Sequence, residues 1–133
     1  MDYSVDMPAA ARRNLEAARQ IATGPRRDVA GYLYGIAAEC AIKAMMIDAG
    51  IRPLDPESRR EDPHYMHFPS LRNALLDKIG GRRAGILAKF VGDPRFLTEW
   101  STSMRYCNGR EIRESWLEKW AEQAVQAVAS MGT

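Results

Sequence analysis

Residues 31–50 read GYLYGIAAECAIKAMMIDAG, and between Asp28 and Asp48 the only charged residues are Glu39 and Lys43. The run is too long for a buried strand and shows no period-two alternation, so it reads as a helix. The spacing predicts a helix over Arg26–Ala49, stopped by Gly50. It is apolar on most sides, which makes it the central, most buried helix of an all-helical protein. Glu39 and Lys43 interrupt the apolar run, so it reads as a core helix and not as a membrane span.

The flanking sequence reads the same way. A first helix is predicted over Pro8–Thr23, with Pro8 in its first turn behind Asp6 and a face of Ala11, Leu15, Ala18 and Ala22. Gly24–Pro25 separates it from the central helix. Residues 51–66, IRPLDPESRREDPHYM, carry three prolines and seven charges and predict a solvated, mobile loop. Further helices are predicted over Ser70–Ile79, Arg83–Val91 and Arg95–Tyr106, the last packing through Phe96, Leu97, Trp100 and Met104. Ser115 and Glu118 have capping-box spacing, which places the start of the final helix there or a few residues earlier. Its face is Leu117, Trp120, Ala124, Val128 and Met131. No segment alternates as a strand does. The expected architecture is all-α, an up-and-down bundle of four main helices with short extra helices, in one domain over residues 1–133.

Composition narrows the classes. The 133 residues are 46% hydrophobic and 27% charged, with a net charge of +2. That is an ordinary globular balance, too weakly basic to imply nucleic-acid binding by itself. Four arginine doublets, at 12–13, 26–27, 59–60 and 82–83, suit phosphate contacts and equally suit solvated helix ends. Residues 1–24 do not read as a secretory leader. Cys40 and Cys107 form no CxxC pair, and Cys40 reads as a small core residue. A cytoplasmic protein without cofactor or structural metal is expected.

Searches for catalytic motifs find little. There is no phosphate-cradling glycine loop, no GxSxG and no HExxH. His64 and His67, with Asp62 beside them, make a weak metal set on a loop. Two features carry chemistry. Tyr32, Gly35, Glu39 and Lys43 share one side of the central helix. Glu39 precedes Lys43 by four, the favourable order for an intrahelical pair, but the few tenths of a kcal/mol involved do not explain burying both. A buried Glu39 needs a partner or solvent. The second feature is STSMRYCNG, residues 101–109, where Thr98, Ser101 and Arg105 line one face. Arg105 is a fixed cation able to hold a carboxylate or a phosphate. A Glu39–Arg105 pair across the bundle is the expected structural use of both.

Three runs in order, AGYLYGIAAECAIKAMM, MHFPSL and WSTSMRY, resemble the HEPN superfamily (higher eukaryotes and prokaryotes nucleotide-binding domains). The matching positions are Ala30, Leu33, Gly35, Ala37, Glu39 and Lys43, then His67, then Trp100, Arg105 and Tyr106. The resemblance spans about residues 8–131. It implies a helical bundle, often a homodimer or the companion of a nucleotidyltransferase in toxin–antitoxin and phage-defence systems. Catalytic members are metal-independent RNases carrying R-x(4–6)-H. Here the positions five, six and seven after Arg105 are Arg110, Glu111 and Ile112, and no histidine follows His67. Arg59–His64 and Arg60–His67 match the text of that motif but lie in the proline-rich loop.

The resulting expectation is a non-catalytic HEPN-like domain that binds a nucleotide, RNA or a partner protein. Arg105, Tyr106, Asn108 and Arg110 would form its polar pocket, with Glu39 and Lys43 beside them. The arginines would contact phosphate, and Tyr106 would stack on a base. An RNase toxin using Arg105 with a substitute base, and a purely structural dimerisation or antitoxin-binding module, remain open as alternatives.

Overall fold

A computed structural model describes residues 3–79 and 85–132. Among these residues there are five α-helices, three 3-10 turns and no strand. The expected all-α bundle is what the structure shows. The helices are α1 (Met7–Ile21), α2 (Arg27–Asp48), α3 (Ser70–Lys78), α4 (Gly85–Val91) and α5 (Glu114–Ser130).

Helix α1 starts where Asp6 accepts the Ala9 amide at 3.0 Å, satisfying one of the free N–H groups of the first turn. Helix α2 ends at Gly50, whose φ of 87° suits the left-handed residue past a helix end. A connection this short between α1 and α2 makes them a helical hairpin. Their contact is built from small side chains. Ala11 and Ala18 on α1 and Ala30, Ala37, Ala38 and Ala41 on α2 are all fully buried. Helix α5 closes the other side of α2 with Leu117, Trp120, Ala124 and Ala127. By length and hydropathy α2 passes for a membrane span, yet 72% of its most apolar window is buried inside the protein. Its apolar character is accounted for by the core.

Gly35 on α2 marks a point of close approach. A Cβ there would lie 1.8 Å from the indole nitrogen of Trp100, so only glycine lets that ring lie against the helix. Trp100 also donates to the Tyr32 carbonyl at 3.2 Å and stacks on the Tyr32 ring, centroids 5.8 Å apart.

Three sequence expectations are corrected here. The predicted helix over Arg95–Tyr106 does not form. Residues 94–99 make turns, and a 3-10 turn follows over Thr102–Tyr106. The predicted face is nonetheless buried: Phe96, Leu97 and Trp100 are 3% exposed or less. The helix fails because other side chains claim its backbone groups. Gln123 accepts the Leu97 amide at 2.9 Å and donates to the Arg95 carbonyl at 2.8 Å. Trp120 donates to the Thr98 carbonyl at 2.9 Å, and Arg72 donates to the carbonyls of Val91, Asp93 and Phe96. Leu97 and Glu99 take positive φ of 55° and 71°, which no helix accommodates.

The capping box at Ser115 is also absent. Helix α5 begins one residue earlier, after Arg113, with no side-chain cap, and Ser115 sits inside its first turn. Glu114 in that turn is paired with Arg27 of α2, and an acidic residue there complements the helix dipole. The 3-10 turn before it does carry a cap: Ser101 accepts the Ser103 amide at 3.2 Å.

The loop 51–66 is ordered around Asp62 and not merely solvated. Asp62 is fully buried, its two carboxylate oxygens each accepting a backbone amide, Leu54 and His64, at 2.9 Å. Two 3-10 turns, Pro56–Glu61 and Pro63–Tyr65, fill the interval. The predicted start of the fourth helix at Arg83, and the 82–83 doublet, lie outside the described residues.

Candidate functional site

Glu39 projects from the middle of α2 and is 3% exposed. Burying a carboxylate is costly unless its lone pairs are taken. They are taken from one loop and one turn of helix. Oε1 accepts the Phe68 amide at 2.9 Å, and Oε2 lies 2.7 Å from His67 Nδ1 and 3.5 Å from Lys43 Nζ. Lys43 is itself 5% exposed, so the pair is a buried one, not a surface decoration. His67 differs: its side chain is 49% exposed. Its Nδ1 is committed to Glu39, which fixes the ring, and among the described residues Nε2 is the ring nitrogen without a hydrogen-bond partner.

The expected Glu39–Arg105 pairing is therefore overturned. His67 and the Phe68 amide occupy the carboxylate that Arg105 was expected to meet. Arg105 is exposed, donates Nε to the Thr102 carbonyl at 3.0 Å, and lies over the Tyr106 ring at 5.2 Å. The charges of both bear on the Tyr32 phenol of α2. Burial raises the Tyr32 phenol pKa, Arg105 opposes by charge and hydrogen bonding, and Glu39 adds a smaller push upward.

The six predicted residues fall into two groups. Glu39 and Lys43 are interior and join His67. Arg105, Tyr106, Asn108 and Arg110 are all exposed on the segment leading to α5. Tyr106 is 82% exposed, the highest among the large hydrophobic residues described after Tyr3 at 86%. Asn108 turns the chain by accepting the Arg110 amide at 2.9 Å. Arg110 faces a cavity of about 560 Å³ shared with Ser101, Cys107, Arg113 and Trp116, which Arg105 and Tyr106 do not line. The predicted pocket is thus an open ledge at Arg105–Tyr106 and a neighbouring groove at Arg110.

Other candidates are absorbed by the fold. Arg26 pairs with Asp28 and Arg27 with Glu114, so that doublet is spent in ion pairs. His64 Nε2 meets the Ile51 carbonyl at 2.8 Å, and Arg59 lies over Tyr65 at 4.7 Å, so the Arg59–His64 text match is not a working unit. Among the described residues no group of three metal-ligating side chains comes together. Burial pushes the Cys40 thiol up to about 11, consistent with its reading as a core residue.

Sequence reasoning missed the partnership of His67 with Glu39. A signal for it existed. A carboxylate on an apolar helix demands a donor, and His67 is one of only two histidines in the chain. No protein-family model, no curated protein and no solved structure matches this chain.

Proposed function

We propose that this protein is a HEPN-like binding module that takes a nucleotide or RNA on the ledge of Arg105 and Tyr106, with Asn108 and Arg110 at the neighbouring groove. The observation that carries the reading is the Arg105–Tyr106 pair. A guanidinium lies over one face of a largely exposed aromatic ring on a short, capped turn. A cation for phosphate and a ring face for a base are the two contacts single-stranded nucleic acid uses most. Arg110 extends the positive charge along the same segment. The resemblance to HEPN domains supports the ligand class. The same resemblance suggests a setting, a prokaryotic toxin–antitoxin or defence system, with a second copy or a nucleotidyltransferase as partner.

The test is binding of a dye-labelled single-stranded RNA to the parent and to Arg105→Ala and Tyr106→Ala. Loss of one stacked base is expected to weaken binding by about 1–3 kcal/mol, and loss of Arg105 by at least as much. An Arg105→Ala variant that binds as the parent does overturns the reading. RNA cleaved by the parent and left intact by Arg105→Ala replaces it with the RNase alternative.

A further inference from the structure

The turn Thr102–Tyr106 borders two features. Arg105 and Tyr106 form the ledge, while Ser103 and Met104 line the neighbouring cavity of about 560 Å³, a size within the range of small-ligand sites. Glu99, Arg110, Arg113 and Trp116 line the same cavity. Arg113 lies over the Trp116 ring at 5.2 Å. Bases stack on aromatic rings and on guanidinium planes alike, so the pair is a stacking surface. Arg110 supplies a cation for phosphate. Glu99 is the member that phosphate binding does not explain. It sits at a φ of 71°, two positions after Leu97 at 55°, in a region that bulky side chains rarely enter. Strain of this kind persists only where neighbours impose it, and it clusters at ligand sites. The neighbours here belong to α5. Trp120 donates to the Thr98 carbonyl at 2.9 Å, and Gln123 accepts the Leu97 amide at 2.9 Å. One helix therefore holds the turn that carries Glu99 and also carries Trp116. Among the described residues Glu99, Arg110 and Arg113 are in no ion pair.

We infer that this cavity takes a guanine and that Glu99 is the residue that selects it. The inference rests on the nucleotide-binding reading above and names its base. Of the four RNA bases only guanine presents two adjacent donors, N1–H and the N2 amino group, on its pairing edge. An ionised carboxylate only accepts, and its two oxygens take two parallel N–H groups at once. Adenine, cytosine and uracil each set an acceptor beside the donor, and a carboxylate repels it. The base would stack on the Arg113–Trp116 pair, with its pairing edge on Glu99 and its phosphate on Arg110. Because the Thr102–Tyr106 turn borders both cavity and ledge, one strand can occupy both. Glu111, the other carboxylate lining this cavity, has no part in the contact and serves as the control.

The experiment measures affinity for dye-labelled oligouridine strands carrying one guanine, one inosine or one adenine at the same position. Inosine keeps N1–H and lacks the N2 amino group. The parent is expected to bind the guanine strand roughly five- to a hundredfold more tightly than the adenine strand, the discrimination of one bidentate base contact, with inosine between. Glu99→Gln sets an amide donor against the guanine donors and is expected to bind the three strands alike. Glu111→Gln is expected to keep the parent's order. Competition by guanosine monophosphate separates the two sources of the base. Displacement of the strand marks the free nucleotide as a ligand, and no displacement marks guanine within RNA; the order of the three strands supports the inference in either case. Circular dichroism checks that each variant is folded, and Glu99→Asn, which the left-handed region tolerates, is the second variant if Glu99→Gln is not. A parent that binds the three strands alike overturns the inference. So does a Glu99→Gln variant that keeps the full preference, or a Glu111→Gln variant that loses it. Failure of the underlying reading looks different: Arg105→Ala then binds every strand as tightly as the parent does.

Discussion

The middle of helix α2 keeps its two charged residues, Glu39 and Lys43, inside and pairs them with each other and with a loop. The segment Arg95–Arg110 does the reverse, burying Phe96, Leu97 and Trp100 and presenting Arg105, Tyr106, Asn108 and Arg110 to solvent. The first region is regular helix with an irregular polar inclusion. The second is irregular backbone with an ordinary apolar core and polar surface. Polar groups at the centre of α2 must therefore be mutually satisfied for the protein to fold. Those at 105–110 are exposed and bonded only to backbone groups a few residues away.

That difference predicts a graded series of stabilities. Glu39→Ala should be the most damaging. It strands Lys43 in the interior and leaves the Phe68 amide without its acceptor, a loss of about 3–5 kcal/mol, the usual cost of breaking a buried ion pair. Chemical denaturation reads it directly, and a loss under about 1 kcal/mol would mean that Glu39 is solvated and the contrast false. Gln123→Ala comes next. It removes both ties to the 95–97 backbone and should cost about 1–3 kcal/mol, the desolvation penalty of a backbone group left unpaired. If stability is unchanged, the 93–101 segment is held by its apolar residues alone. Arg105→Ala should fall within about 0.5 kcal/mol of the parent, as exposed substitutions do. A large loss there would show that the ledge is structural after all.

The two regions were also unequally legible. The length and apolarity of α2 dictate a buried helix, and Gly50 marks its end, so bulk pattern was enough. The 95–106 segment carries a helical spacing of apolar residues, and every one of those residues is buried or packed on the core. What the spacing could not reveal is that Gln123 and Trp120, more than twenty positions away, take the hydrogen bonds a helix needs. Long-range competition for backbone groups leaves no local trace. The candidate site was half legible. The unusual position of Glu39 announced that a partner exists, and Arg105 was the wrong choice because both it and His67 lay outside the central helix at unknown distances. Asp62 shows the same limit: in an acidic, proline-rich run nothing distinguishes the one carboxylate that is buried from its solvated neighbours.

The Asp62 anchor has a consequence for chain length. Together with the Glu39–His67 tie it fixes both shores of the loop: Ile51 and Leu54 on one side, His64, His67 and Phe68 on the other. The chain between them, Asp55 to Glu61, holds no fully buried side chain. Closing a longer span costs little, about 0.6 kcal/mol for each doubling. Insertions there would lengthen an arc whose two feet stay in place. The histidine at one foot would keep its position beside α2, while the arc itself is free to vary in length and sequence.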